Sequence, residues 1–332
     1  MADATQMVSY DLNGKKLSFA NWISNLSPTE TPFVSMTGKE SINQTLFQWQ
    51  TDVLESAVAT NAVVEGSAAT SASRKSTTVL KNITQILRKV VKVSDTANVL
   101  ANYGRGKELQ YQMEKAGKEI KRDLEMALLR NGLSAEEDTT DSDPANWTGR
   151  KTAGYAGLVG GVPAAGDITK GDTPDPDTGA VVFQNTAAAG TFTEAELFKL
   201  TYELYIAGSN ANIIMFHPKH AKIFSSLMET NAAGSNRERM FDGASDTRVN
   251  TYVSTIVDPL GQQYKLIPNR WMPEDAVYVF TPSDWTQMVL RAPERTKLAK
   301  DGSYEKWMIE MEIGLRHRNP YASGILKLAV KA

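Results

Sequence analysis

Cysteine is missing from the 332 residues, and only three histidines occur. The first absence excludes disulfides, thiol nucleophiles and thiolate-ligated zinc. Charge of one sign is lacking too: 36 Lys and Arg face 38 Asp and Glu, for a net charge of −2. No global basic field therefore exists to hold nucleic acid or an anionic membrane, and any contact with DNA is expected to be weak and local. Long hydrophobic runs are absent. IIMF (213–216) falls far short of the roughly 20 residues that a spanning helix needs. The opening MADATQMVSYDLNGKKLSFANW has no basic stretch followed by an apolar one, so no signal peptide is expected. These features describe a soluble protein that stays in the cytoplasm where it is made, without membrane contact.

What is present is a sequence with 41% hydrophobic residues, enough for a core. Residues 1–45 scatter single apolar residues among turn formers, and Pro28 and Pro32 bias their predecessors toward extended conformations. This reads as an arm. Phe47, Trp49, Thr51 and Val53 alternate with Gln48, Gln50 and Asp52, the two-residue period of a half-buried strand. In the returning stretch 76–93, Val79, Ile83, Leu87, Val91 and Val93 share one parity while Leu80, Ile86 and Val90 share the other. The two stretches predict a long hairpin with apolar residues on both faces. Its connection, containing EGSAATSAS (65–73), has almost nothing that can pack, and a lone hairpin is marginal in water.

A helix is predicted over 107–132, where Leu109, Met113, Ala116, Ile120, Leu124, Ala127 and Leu128 recur at spacings of three and four. Its other side carries Glu114–Lys118, Lys115–Glu119 and Lys121–Glu125, read as solvated i,i+4 pairs, and Asn131-Gly132 as its stop. Residues 133–191 are rich in Gly, Pro, Asp and Thr, poor in large apolar residues, and read as an interaction loop or insertion. Order returns with a helix at 193–208, opened by a Thr193–Glu196 capping box and striped by Leu197, Leu200, Leu204 and Ala207. A buried strand at 211–216 and a helix at 218–229 follow. Strands are then expected at 250–257, 262–267, 276–281, 286–291, 304–316 and 321–330. With no βαβ rhythm, the fold class is α+β, with two lobes, an arm and a protruding hairpin.

Catalytic and cofactor signatures fail one by one. GLVGGVPAAG lacks the spacing of a phosphate-binding loop, and GRKT (149–152) has Pro144 where the first glycine belongs. DPDTG (175–179) starts like a calcium loop but has Gly179 at position 5 and Thr186 at position 12. The carboxylates Glu136, Glu137, Asp138, Asp141 and Asp143 are irregularly spaced, which suits a solvated acidic face better than a cation site. His217 and His220 lack further ligands nearby and read as structural histidines. His317, between Arg316 and Arg318, suits a surface or interface role. RHR (316–318) and SNRER (235–239) lack the aromatic interleaving of a nucleic-acid module and read as partners for carboxylates, those of another subunit included. No catalytic residue, cofactor or metal is expected.

The order of parts is informative. Arm, long hairpin, long amphipathic helix, mixed lobe and closing strands resemble, in that sequence, the major capsid proteins of tailed bacteriophages with the Hong Kong 97-type fold. SPTETPFVSMTGKESINQTLFQWQTDVL (27–54) with VEGSAAT (64–70), and LAKDGSYEKWMIEMEIGLRHRNPYASGIL (298–326), resemble a podophage subgroup of that family. The resemblance implies an N-terminal arm (1–45), an E-loop hairpin (46–94), a P-domain with spine helix (95–160), an A-domain with a loop-rich insertion (161–285) and closing P-domain strands (286–332).

It also implies a function. Pentamers and hexamers of the chain would close into an icosahedral shell around double-stranded DNA, with the E-loop lying across a neighbouring subunit. Trp49, Val53, Glu65, Arg74 and Lys75 become candidate contacts between subunits. So do Arg237, Arg239, Asp242 and Arg248, in a loop (231–250) expected to face the capsomer axis and to resist trypsin once assembled. Partners would be a scaffolding protein, a portal, packaged DNA held weakly and without sequence preference, and a decoration protein. Many relatives carry a charged helical scaffolding segment ahead of the arm, so here either cleavage or a separate scaffold is expected. Some relatives cross-link an E-loop Lys to a P-domain Asn, but residues 55–73 contain no Lys, and no cross-link is expected. The alternatives are an encapsulin-like compartment with the same fold and a metal-dependent hydrolase using the 136–143 carboxylates.

Overall fold

A proline at the first helical position has no amide proton to waste, and Pro32 opens helix α1 (Pro32–Met36) in this way. The computed structural model describes residues 27–52, 54–55, 57–69, 76–100, 106–141, 143–159, 184–187, 194–226, 254–319 and 321–328. After α1 comes strand β1 (Gly38–Ser41). Within the stretch read as an arm, this part is docked into the body. Phe33 is fully buried, edge-on to Tyr155, Phe280 and Trp285 at centroid distances of 6.2, 5.6 and 5.9 Å.

The predicted hairpin exists but is shorter than expected. Strand β2 (Leu46–Thr51) pairs antiparallel with β3 (Thr78–Ile83), Phe47 opposite Asn82 and Trp49 opposite Leu80. Phe47, Leu80 and Asn82 are buried, whereas Leu46 and Val79 on the other face are exposed. The returning stretch is not one strand. At Thr84 it breaks, and β4 (Gln85–Ser94) takes a new partner, residues 304–313. Asn82, Ile83 and Thr84 are all buried in succession, so the buried parity changes from even in β3 to odd in β4, where Leu87 and Val91 pack on the main core and Val93 is buried. That change places Leu80 and Leu87, of opposite parity, in two different pairings within one chain, while Val79, Ile86 and Val90 stay exposed.

Ser94 caps the short helix α2 (Asp95–Val99), its side chain accepting from Ala97 N. Helix α3 (Glu108–Arg130) follows the predicted stripe, with Met113, Ala116, Ile120, Leu124 and Leu128 buried against β4. Ala127 is only partly buried. The expected Lys121–Glu125 surface pair is overturned, because Glu125 is completely buried. Its carboxylate accepts from Phe33 N and Val34 N, both at 2.8 Å, and from Asn269 Nδ2 at 2.6 Å. Burial pushes this carboxyl up, and the three donors only partly offset it.

The chain from 133 to 151 is irregular, as expected, joined by two bridges, Ala135–Lys151 and Asp138–Thr148. It then enters the core, contrary to the reading of 133–191 as one coreless insertion. In helix α4 (Tyr155–Val159), Tyr155, Leu158 and Val159 are fully buried. A Cβ on Gly157 would meet Gly132 O at 2.0 Å, so only glycine allows the two backbones to approach this closely.

The remaining elements are β5 (Gln184–Ala187), α5 (Glu194–Ile206), β6 (Ile213–Phe216), α6 (Ala221–Ser226), β7 (Thr255–Val257), β8 (Gln263–Pro268), β9 (Ala276–Phe280), β10 (Trp285–Lys297), β11 (Tyr304–His317) and β12 (Gly324–Leu328). One sheet has the order β1-β10-β11-β4, the other β5-β12-β9-β6-β8-β7. The main core fills the space between α3, the first sheet and one face of the second, gathering Ile120, Leu124, Ile309, Met311, Met215 and Tyr278. A second core lies on the opposite face of the six-stranded sheet, under α5 and α6. Thus β12 joins a different sheet from β10 and β11. Gly324 contributes to its place: a Cβ there would meet Leu200 at 2.9 Å. The Thr193 part of the expected capping box lies outside the described residues.

Candidate functional site

Between β2 and β3 the described residues 52, 54–55 and 57–69 form no regular structure. Leu54 is 94% exposed, and Val58, Val63 and Val64 are exposed with it. A turn closes from Ser67 N to Val64 O at 3.0 Å, and Gly66 supplies its positive φ of 81°. Glu65 sits in that turn, exposed. Trp49, by contrast, is half-buried at the base and stacked on Phe47 at 6.1 Å, so its ring already serves its own chain. The stretch therefore combines outward apolar residues with the carboxylates of Asp52, Glu55 and Glu65 and presents no cation among its described residues.

The base of this ribbon is locked by charge. Glu312, buried on β11, accepts from Thr84 Oγ1 at 2.7 Å and from Arg291 Nε at 3.1 Å, and it pairs with Arg150. Arg150 Nε also donates to Thr84 O at 3.0 Å. One row along, Glu310 binds Arg88 and Arg291, each at 2.6 Å. Burial alone would raise the Glu312 carboxyl, but hydrogen bonds from Thr84, Arg150 and Arg291 outweigh it and hold the group below the usual range. Glu310 is lowered chiefly by Arg88. Beside this network, Asn82 Nδ2 donates to Leu315 O at 2.6 Å and to Ala153 O at 3.2 Å. The strand break at Thr84 is thus fixed from three sides, and the ribbon leaves the body at a defined point.

Several expected sites are reassigned. His317 is no surface residue: it is buried, stacked on Trp285 at 4.1 Å, with Nε2 2.9 Å from Ser323 Oγ, and desolvation lowers its pKa to about 3. Arg316 pairs with Glu40 of its own chain at 2.7 Å, which leaves no need for a neighbour's carboxylate. His220 is buried, its Nε2 2.6 Å from Glu274 O, and His217 Nδ1 accepts from Lys219 N at 3.3 Å, so both are structural as expected. Asp138, Asp141 and Asp143 each turn a carboxylate oxygen onto an amide two residues ahead, so their acidity shapes the local loop. Val53, Arg74, Lys75, Arg237, Arg239, Asp242 and Arg248 lie outside the described residues. Sequence reasoning missed Glu125, Thr84 and Arg150, whose roles arise only through contacts far along the chain.

A single chain whose most exposed apolar stretch is its hairpin ribbon points toward assembly, and sequence comparison agrees. The profile of the SU10 major capsid protein family matches residues 4–329. The chain belongs to that family. A major capsid protein of Escherichia phage Phieco32 is 60% identical over 351 aligned positions, covering 98% of this chain and 97% of its own length. Among solved structures, the capsid of a native GTA particle has a TM-score of 0.66 at 14% identity, over 98% of this chain and 100% of that one. The capsid of Cyanophage P-SCSP1u has a TM-score of 0.56 at 13% identity, over 99% and 100%. The SrpI encapsulin of Synechococcus elongatus PCC 7942 has a TM-score of 0.55 at 10% identity, over 98% and 95%. The fold is the Hong Kong 97-type capsid fold, and this SU10-family chain is a phage major capsid protein.

Proposed function

We propose that the chain forms pentamers and hexamers that close an icosahedral shell around double-stranded DNA. The observation that carries this is the ribbon between β2 and β3. Four outward apolar residues, Leu54, Val58, Val63 and Val64, stay exposed on a segment whose described residues have no regular structure. In this reading the ribbon is the E-loop and lies across a neighbouring subunit, α3 is the spine helix, the β1-β10-β11-β4 sheet belongs to the P-domain, and the six-stranded sheet is the A-domain. Val53, Glu65, Arg74 and Lys75 then meet a neighbour, and Arg237, Arg239, Asp242 and Arg248 meet their counterparts near the capsomer axis.

The protein acts mechanically and not as an enzyme. Its balanced charge suits a container whose wall must not grip its contents, so DNA contact is weak and shallow in salt dependence. A scaffolding protein, a portal and a decoration protein are its expected partners, and assembly takes place in the cytoplasm of the host bacterium. An encapsulin-like compartment has the same fold, but the phage relative favours a viral container. Replacing residues 57–74 with Asn-Gly tests the reading. Soluble folded subunits that no longer close shells are expected; normal shells seen by electron microscopy would refute the E-loop role.

A further inference from the structure

Helix α5 buries one apolar side and carries exposed large apolar residues on the other. Leu197, Leu200 and Leu204 are buried in the second core, while Ala195, Lys199, Tyr202 and Ile206 follow one another along the opposite line at helical spacing. Tyr202 lies tilted against Phe198 at 6.2 Å, and Tyr205 is exposed three residues further on. Large apolar side chains gathered on an exposed helix face mark an interaction surface. Among the described residues between 194 and 280, the large apolar side chains left exposed are Tyr202, Tyr205, Ile206, Val257 and Leu260. They form two groups. The first lies on α5, which packs over β12 and the edge strand β5; the second lies at β7 and its turn into β8, at the other edge of the same sheet.

We propose that the outer face of α5, through Tyr202, Tyr205 and Ile206, docks on the β7–β8 edge of a second copy of this chain at Val257 and Leu260. This rests on the reading that copies assemble into rings. A two-fold contact pairs each patch with itself, whereas one head-to-tail contact, repeated by rotation, covers both patches on every subunit. The first patch supplies the large aromatic anchors typical of interface centres, and the second supplies small flat aliphatic ones. The charges suit the same pairing. Lys199 and Glu203 border the helix patch and the exposed Lys265 borders the strand patch, with no ion pair of their own among the described residues. Among the described residues strand β7 pairs only with β8, which leaves its outer edge without a described partner.

Because the natural chain has no cysteine, the contact can be trapped cleanly. Assembled Ile206→Cys/Val257→Cys protein, oxidised or treated with a short bis-maleimide, should run as a ladder of covalent multimers. Each single variant should stay monomeric on a denaturing gel. Particles that close normally but give no ladder with either treatment would overturn the docking while leaving the shell reading intact. Dimers from either single variant would overturn it in favour of a two-fold contact, and failure of the unmodified chain to form particles would sink both. Independently, Tyr202→Ser/Ile206→Ser should keep the thermal unfolding of the free subunit and lower particle yield at least tenfold; an unchanged yield would count against the proposal.

Discussion

Thr84 Oγ1 donates to Glu312 Oε1 at 2.7 Å, across 228 residues of sequence. This bond sits where the chain leaves β3 and enters β4, with Arg150 and Arg291 on the same carboxylate. Glu312→Gln keeps the shape but turns a donor toward one of these donors. We expect a loss of about 1–3 kcal/mol. Arg88→Ala removes only a solvent-facing partner of Glu310 and should cost under about 1 kcal/mol. Denaturant unfolding of free subunits measures both, and equal losses would mean that the junction carries no special weight.

Glu125 ties α1 to α3. Its three donors leave no acceptor for a side-chain N–H, so Glu125→Gln should cost roughly 1–3 kcal/mol. It should also speed hydrogen exchange of the Phe33 and Val34 amides relative to amides in the middle of α3. Uniform acceleration along both helices would show that the carboxylate supports the whole core and not the α1 attachment.

His317 makes stability depend on acid. Its folded pKa is lowered to about 3 by burial, below the ordinary value of about 6.5. Above that ordinary value the ring is neutral in both states and adds no pH dependence. As pH falls from there toward 3, the unfolded chain takes a proton that the folded one refuses, and stability declines by up to about 1.4 kcal/mol per unit. His317→Gln lacks this proton, so its disadvantage at neutral pH should shrink in acid. Parallel stability curves between pH 7 and pH 4 would contradict this.

Local patterning revealed most of the elements. Alternation located β2, the three-and-four spacing located α3 and α5, and the continuous apolar run IIMF located β6. Periodicity could not reveal a change of partner. Val79 to Val93 has the same residue types as one long strand, and the groups that fix the break at Thr84, Glu312 and Arg150 among them, lie far away in sequence. Glu125 was misread for the same reason, since an i,i+4 Lys–Glu pair looks identical whether its carboxylate faces water or the amides of a distant helix. His317 lay between two arginines, and nothing local signals that β11 turns it inward onto Trp285. For the assembly surface, small and polar residues after β2 pointed to a segment without its own packing, but no spacing rule says which surface receives it.

The pairing scheme has a consequence for how the protein is made. Strands β1 and β4 find their partners in β10 and β11, and β9 is completed by β12. Neither sheet is complete until β10, β11 and β12 have been made, and such distant pairings form slowly. A chain that stops before β10 keeps only β6 to β9 of the second sheet and leaves β1 and β4 unpaired, with their strand edges open to aggregation or proteolysis. A copy lacking β10 and β11 thus has no first sheet to bring to an assembly.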